Sequence, residues 1–257
     1  MIEKIINILQ LPEKCLVNKK ITKAFFKRNF ELTKNDRKLL DDFSVVVSID
    51  WLTSISPSNS NVPVFVTPDV TFEEIQVIAL QTNSGNYNRD KTRLFDFVQK
   101  FIPYHILLVV YTNKVMSWNA CLKRINENDR TKRVIEKEFS TEDIPLKNPT
   151  KNQKAFYKGL SFVLLDKTNL KTLYNGYIQQ IVALNAAEVR GEFAPKPTKR
   201  TQQDVIYLEK IAQLEKEIVT LNNLAIRETQ MSLRVEYNLK LQQKRKQIEE
   251  IKKIIST

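Results

Sequence analysis

Along the first 190 residues the apolar positions change their spacing several times, which predicts a domain that mixes helices and strands. Residues 1–44 carry apolar side chains at helical spacing, with Thr33 as the N-cap of one helix. From Val45 onward we expect strands, at 45–49, 74–81, 106–111, 115–123, 132–139 and 160–165. Helices are expected at 93–101 and 170–189, and polar connections at 54–61, 82–90, 126–130 and 140–154.

The longest apolar run of the chain begins at Ile106 and ends at Tyr111. A strand without polar alternation needs cover on both faces, so we place it at the centre of the sheet. The sequence therefore predicts an α/β (α+β) fold over residues 1–190, with a mixed sheet and flanking helices.

Residues 191–201 contain two prolines and no core-like spacing, which indicates a linker before a helical arm at 202–257. In the arm, apolar residues recur at alternating steps of three and four, in two series that start at Tyr207 and at Tyr237. This spacing is typical of coiled-coil seams. The phases of the two series do not connect, so we expect a hairpin; one helix with a stutter is the alternative.

A narrow apolar seam has to be covered by another helix, a second copy of the chain or another protein. We expect a homodimer through the arm, with cover inside one chain as the alternative. The predicted interface residues are Ile211, Leu214, Ile218, Leu221, Leu241, Ile248 and Ile251.

Basic residues outnumber acidic ones by 41 to 29, which gives a net charge of +12 and favours a polyanionic partner. A solvated lysine surface is the competing interpretation, because the excess is spread along the chain. Clusters of cations bind phosphates without reading sequence. The predicted nucleic-acid contacts are Lys19, Lys20, Lys23, Lys27, Arg28, Lys123 and Arg124.

Residues suited to catalysis or metal binding are few, with one histidine, His105, and two cysteines, Cys15 and Cys121. They lack metal-ligand spacing, and phosphate loops and dinucleotide fingerprints are missing, so we expect no metal and no cofactor. The remaining enzyme hypothesis is a magnesium nuclease built on Asp50 and Glu74. It is weakened by Gln76, which stands where such a site needs a lysine.

Features of an exported or membrane protein are not found in the sequence. Residues 1–11 lack an uninterrupted apolar stretch with a cleavage site, and the longest apolar run is far below the roughly 20 residues that span a bilayer. We therefore expect a cytoplasmic protein whose cysteines are buried and reduced.

A set of short motifs spans nearly the whole chain and comprises Leu11-Pro12, Val17-Asn18-Lys19-Lys20-Ile21, Trp51 to Pro57, Glu74-Ile75-Gln76-Val77, Ile102-Pro103-Tyr104, Ile106-Leu107-Leu108, Leu173-Tyr174, Gln179-Gln180-Ile181 and Val235-Glu236-Tyr237-Asn238. In these motifs the chain resembles a bacterial and archaeal family of unknown function with an α/β domain and a C-terminal coiled coil. The resemblance implies genes beside helicase and DNA adenine-methyltransferase genes in restriction-type defence loci, and it carries over no catalytic residue.

The expected function is therefore that of a non-catalytic accessory subunit, which binds a helicase or methyltransferase subunit of the same system and also DNA. The alternative is a metal-dependent nuclease, in intact or degenerate form.

Overall fold

The computed structural model describes residues 1–130, 132–196 and 198–256. The chain divides into two compact units, Met1–Ile181 and Val182–Thr257. The division falls within the helix Leu170–Arg190, and the domain boundary expected after residue 190 stays a prediction. Pro197 of the predicted linker lies outside the described residues.

The helices up to this boundary are α1 (Ile2–Leu9), α2 (Lys23–Asn29), α3 (Lys34–Asp41), α4 (Pro57–Ser60), α5 (Tyr87–Phe101), α6 (Lys151–Gly159) and α7 (Leu170–Arg190). The strands are β1 (Leu16–Lys20), β2 (Ser48–Ile55), β3 (Phe65–Val66), β4 (Thr71–Phe72), β5 (Ile75–Gln81), β6 (His105–Tyr111), β7 (Val115–Ile125), β8 (Arg133–Ser140) and β9 (Ile144–Pro145).

The main sheet has the strand order β1-β2-β5-β6-β7-β8, with β9 beside β7, while β3 and β4 pair separately. Strands β5 and β6 run parallel and are connected through α5. The neighbouring pairs of the main sheet are antiparallel on both sides of them. The predicted mixed sheet is therefore confirmed.

The central position of the apolar run is also confirmed, because every residue of β6 is buried. Strand β6 lies between β5 and β7, as expected for a strand covered on both faces. On one face the core combines Ile78 and Leu80 of β5 with Leu108 of β6 and with apolar residues of α2, α3 and α5.

The prediction that residues 1–44 are helical is wrong for Leu16–Lys20, which form the edge strand β1. This strand pairs with β2, and its register shifts between Leu16 and Lys19. Asn18 at the shift has a φ of 49°, a left-handed conformation that asparagine adopts more readily than most residues. A short edge strand with an interrupted register has no alternating apolar pattern, so it escaped the sequence analysis.

Other segments also differ from the prediction. The strand expected at 45–49 is β2, at Ser48–Ile55, and helix α4 lies in the expected polar connection 54–61. Residues 160–165 are not a strand: they leave α6 in a turn closed by a bond from Leu164 N to Ser161 O at 3.0 Å. Helix α6 lies in a predicted polar connection, where Thr150 caps it by accepting a bond from Gln153 N at 3.2 Å. Helix α5 begins at Tyr87, within another predicted polar connection.

In the second unit, α8 (Thr198–Arg227) and α9 (Met231–Ser256) are joined by three residues and pack against each other. Lys244 of α9 forms an ion pair with Glu217 of α8, and Arg200 donates to Ile254 O at 2.8 Å. The contact of Arg200 joins the start of α8 to the end of α9, so the pair is an antiparallel hairpin. The predicted hairpin is confirmed, whereas coiled-coil geometry stays a prediction.

The hairpin covers its own seam. Four predicted interface residues are buried, namely Ile211, Leu214, Leu241 and Ile248, and Ile218, Leu221 and Ile251 are half-buried. Because the chain itself supplies this cover, the seam is not an open face for a second copy. The prediction that these residues form a partner interface is corrected accordingly.

None of the helices in the described ranges carries an apolar stretch long enough to cross a lipid bilayer.

Candidate functional site

A pocket of about 440 Å³ lies at the β1 side of the main sheet. Its lining comes from β1, from α2 and the residue after it, from β2 and β5, and from the segment that leads into β6. Most of the lining is apolar, but two exposed lysines and two carbonyl-bearing side chains also border it. This combination makes it the candidate functional site.

The floor of the pocket is set by the strand register. Trp51 of β2 pairs with Ile78 of β5 on one side and with Lys19 of β1 on the other. Directly paired residues project from the same face of a sheet, so these three side chains share the face of the pocket. The register shift at Asn18 thereby brings Lys19 onto this face.

Aromatic rings form the walls. Thr22 caps α2 by accepting a bond from Phe25 N at 3.2 Å, and the helix places Phe25 beside Phe30 with ring centroids 5.9 Å apart. Tyr104, in the segment that leads into β6, also lines the pocket. Phe25 and Tyr104 are each 43 % exposed, which leaves aromatic surface available to a ligand.

The wall that contains Tyr104 is held by a buried lysine. Lys123 is 2 % exposed, and its Nζ donates to Ile102 O at 2.9 Å and to Tyr104 O at 2.8 Å. Burial lowers the pKa of Lys123 to about 7. The prediction that Lys123 contacts nucleic acid is therefore wrong, because its ammonium group faces the interior and not solvent.

Polar side chains lie at the base of the pocket. Gln76 is 4 % exposed, and its Oε1 has no hydrogen-bond partner among the described residues. Glu74 accepts a hydrogen bond from Ser54 Oγ. Burial raises the pKa of Glu74, and a hydrogen bond from Gln76 opposes that rise. The base therefore combines a half-buried carboxylate with a buried amide oxygen that lacks a hydrogen-bond partner among the described residues.

The predicted basic cluster on β1 and α2 is only partly available to a phosphate. Lys19, Lys20 and Arg28 are exposed, and the two lysines border the pocket. Lys23 Nζ lies 4.0 Å from the centre of the Phe43 ring, and Lys27 forms an ion pair with Asp41 at 2.6 Å. In the second cluster, Arg124 is bound to Glu127 at 3.1 Å and to Glu136 at 3.6 Å.

The two acids of the nuclease hypothesis are not brought together. Asp50 is buried, accepts a bond from Ser48 Oγ at 2.8 Å and pairs with Ala79. Glu74 precedes Ala79 by five residues, roughly 16 Å along a strand. Asp50 also projects from the face opposite to Trp51, and no cluster of three His, Cys, Asp or Glu suited to a metal occurs in the described residues.

The remaining candidate residues are structural. His105 is buried, stacks on Phe72 at 3.7 Å, and has its pKa lowered to about 3 by burial and by the nearby cations of Lys123 and Arg133. Cys15 and Cys121 are buried free thiols, as predicted.

Sequence analysis found Lys19 and Lys20 but missed the pocket beside them. The ring positions of Phe25, Trp51 and Tyr104 come from three separate segments, and only the strand register places them together.

Comparison with known proteins gives one family match. No curated protein and no solved structure matches the chain. The model of a domain of unknown function, DUF4391, matches residues 9–248. Because this match covers most of the sequence, the chain belongs to the DUF4391 family.

Proposed function

We propose that this protein is a non-catalytic accessory subunit of a cytoplasmic DNA-processing system of the restriction-type defence kind. It binds DNA at the edge of the main sheet through Lys19 and Lys20. The observation that carries the proposal is the position of these two exposed lysines on an edge strand, at the border of an aromatic pocket.

Exposed lysines suit the phosphate backbone because they supply charge without reading base sequence. Arg28 adds a third exposed cation on α2, and the net charge of +12 favours approach of a polyanion.

The hairpin is the proposed docking element for a helicase or methyltransferase subunit. Its seam is already covered, so docking uses apolar side chains that the hairpin leaves exposed. Among these are Val219, Ile226, Met231 and Val235, each more than half exposed. A homodimer through the arm has to use the same outer positions.

The DNA-binding part is tested by fluorescence anisotropy with labelled 20-nucleotide single strands and duplexes over a series of salt concentrations. We expect the double variant Lys19→Ala, Lys20→Ala to bind more weakly. For a single strand, the slope of log K against log salt decreases by about 1.4, since each lost phosphate contact contributes about 0.7.

The matched control is the double variant Lys151→Ala, Lys154→Ala, which removes two exposed lysines of α6 in the same unit. If both double variants lose affinity equally, the binding is a general effect of charge and the proposed site is wrong.

The docking part is tested by co-purification of the full-length chain with candidate helicase and methyltransferase subunits. The variant Ile226→Asp, Val235→Asp is expected to lose the partner. Retention of the partner by this variant contradicts the proposed docking face.

A further inference from the structure

We propose that the pocket takes one unstacked nucleobase of a single DNA strand whose backbone runs along the β1 edge, with a phosphate against Lys19 on the face of the pocket. This inference rests on the proposed function and specifies the ligand of the same site.

The dimensions and walls of the pocket suit a flat ring. Its volume of about 440 Å³ lies within the range of roughly 300–1,000 Å³ that is usual for small-ligand sites. Trp51 borders its floor, and Phe25 and Tyr104 present exposed ring surface from two other elements. Aromatic side chains stack with bases of any sequence, because every base has a π-face.

The base of the pocket calls for a ligand that donates hydrogen bonds. Gln76 Oε1 is buried without a partner, and a buried acceptor left unpaired destabilises the protein until a donor reaches it. An aliphatic or phenyl side chain from a protein partner offers no such donor. The exocyclic amino group of a base does, and cytosine carries this donor where thymine carries a carbonyl oxygen.

The position of Lys19 suits the DNA phosphates that flank an inserted base. A base inserted into the pocket brings the phosphates on either side of it to the border, where Lys19 shares the face of Trp51. Only an unstacked base can enter, because a base in a duplex is covered on both faces by its neighbours and along its edge by its partner. The preferred ligand is therefore single-stranded.

The experiment measures the affinity of labelled 12-nucleotide strands of deoxycytidine, of thymidine and of abasic sugar phosphate. The abasic strand reports phosphate binding alone. We expect the deoxycytidine strand to bind about tenfold more tightly than the abasic strand, as one stacked base supplies. It also binds several-fold more tightly than the thymidine strand.

Variants localise the base. Phe25→Ala is expected to remove the advantage of deoxycytidine over the abasic strand while abasic binding stays unchanged. Leu164→Ala is the control, since Leu164 is an exposed apolar residue of the same unit outside the pocket, and it changes neither affinity. Gln76→Leu removes the preference for deoxycytidine over thymidine. Phe25 and Leu164 are exposed, so the comparison between them stands even if the Gln76 variant fails to fold.

The possible outcomes are distinguishable. If the deoxycytidine and abasic strands bind equally, the inference fails, the proposed function stands, and the pocket is left for a protein side chain. If no strand binds, the inference and the DNA-binding function fail together. A base-dependent affinity that persists in Phe25→Ala places the base elsewhere and overturns the inference. A cytidine RNA strand that binds more than tenfold tighter than its DNA counterpart overturns the assignment to DNA.

Discussion

The buried ammonium group of Lys123 makes the stability of the first unit depend on pH near neutrality. Its pKa is about 7 in the folded protein and returns to 10.5 when the chain unfolds. Between these values the unfolded chain binds more protons, so the free energy of unfolding rises with pH. From pH 7.0 to 8.5 the linked contribution of this one group amounts to about 1.6 kcal/mol. The window ends at 8.5 because the buried thiols of Cys15 and Cys121, with pKa values raised to about 11 and 12, act in the opposite direction at higher pH.

The assay is urea denaturation followed by tryptophan fluorescence at both pH values. Trp51 and Trp118 are the two tryptophans of the chain, and both report on the first unit. Wild-type protein is expected to gain about 1–2 kcal/mol more than Lys123→Met over this range. Lys154→Met, the same substitution on exposed α6, retains the wild-type gain. An equal gain in wild type and Lys123→Met refutes the argument, because Lys123 then keeps its charge in both states.

Three further predictions concern the sheet, the hairpin and the nuclease hypothesis. Asn18→Val is expected to lower the free energy of unfolding by about 1–2 kcal/mol, because a β-branched residue is strained at the positive φ. Asn18→Gly is the tolerated control, and equal losses of stability in the two variants argue against strain. Ile248→Ala opens a void in the hairpin seam and is expected to cost about 2–4 kcal/mol in thermal or urea unfolding followed by circular dichroism, whereas exposed Leu239→Ala costs less than about 0.5 kcal/mol. Purified protein incubated with supercoiled DNA and magnesium is expected to leave it uncut, and nicking that disappears in Asp50→Asn or Glu74→Gln revives the nuclease hypothesis.

Sequence patterns predicted the structure correctly where the side chains of an element themselves show which of its faces must be buried. The run from Ile106 is apolar throughout, so its central place in the sheet follows from the need to cover two faces. The hairpin is similar, because the two apolar series each require a partner helix and a loop of three residues lets each supply the other.

Patterns failed where burial depends on distant segments. Lys123 and Arg124 are neighbours in the sequence and were predicted to act together, but successive residues of a strand point to opposite faces. One side chain reaches the carbonyl groups of Ile102 and Tyr104, and the other binds surface acids. Which face is covered depends on elements far away in the chain, and for the same reason the pocket could not be predicted.

The exposed lysines of β1 have a second effect, on the solubility of the chain. An unpaired edge strand offers backbone donors and acceptors to the edge of another molecule, and charged side chains and bulges are the usual protection against such pairing. Strand β1 has both, in Lys19, Lys20 and the register shift at Asn18. Neutralising these lysines therefore removes a barrier to aggregation together with the proposed phosphate contacts. The two charges proposed to contact phosphates therefore also disfavour edge-to-edge pairing between copies of the protein.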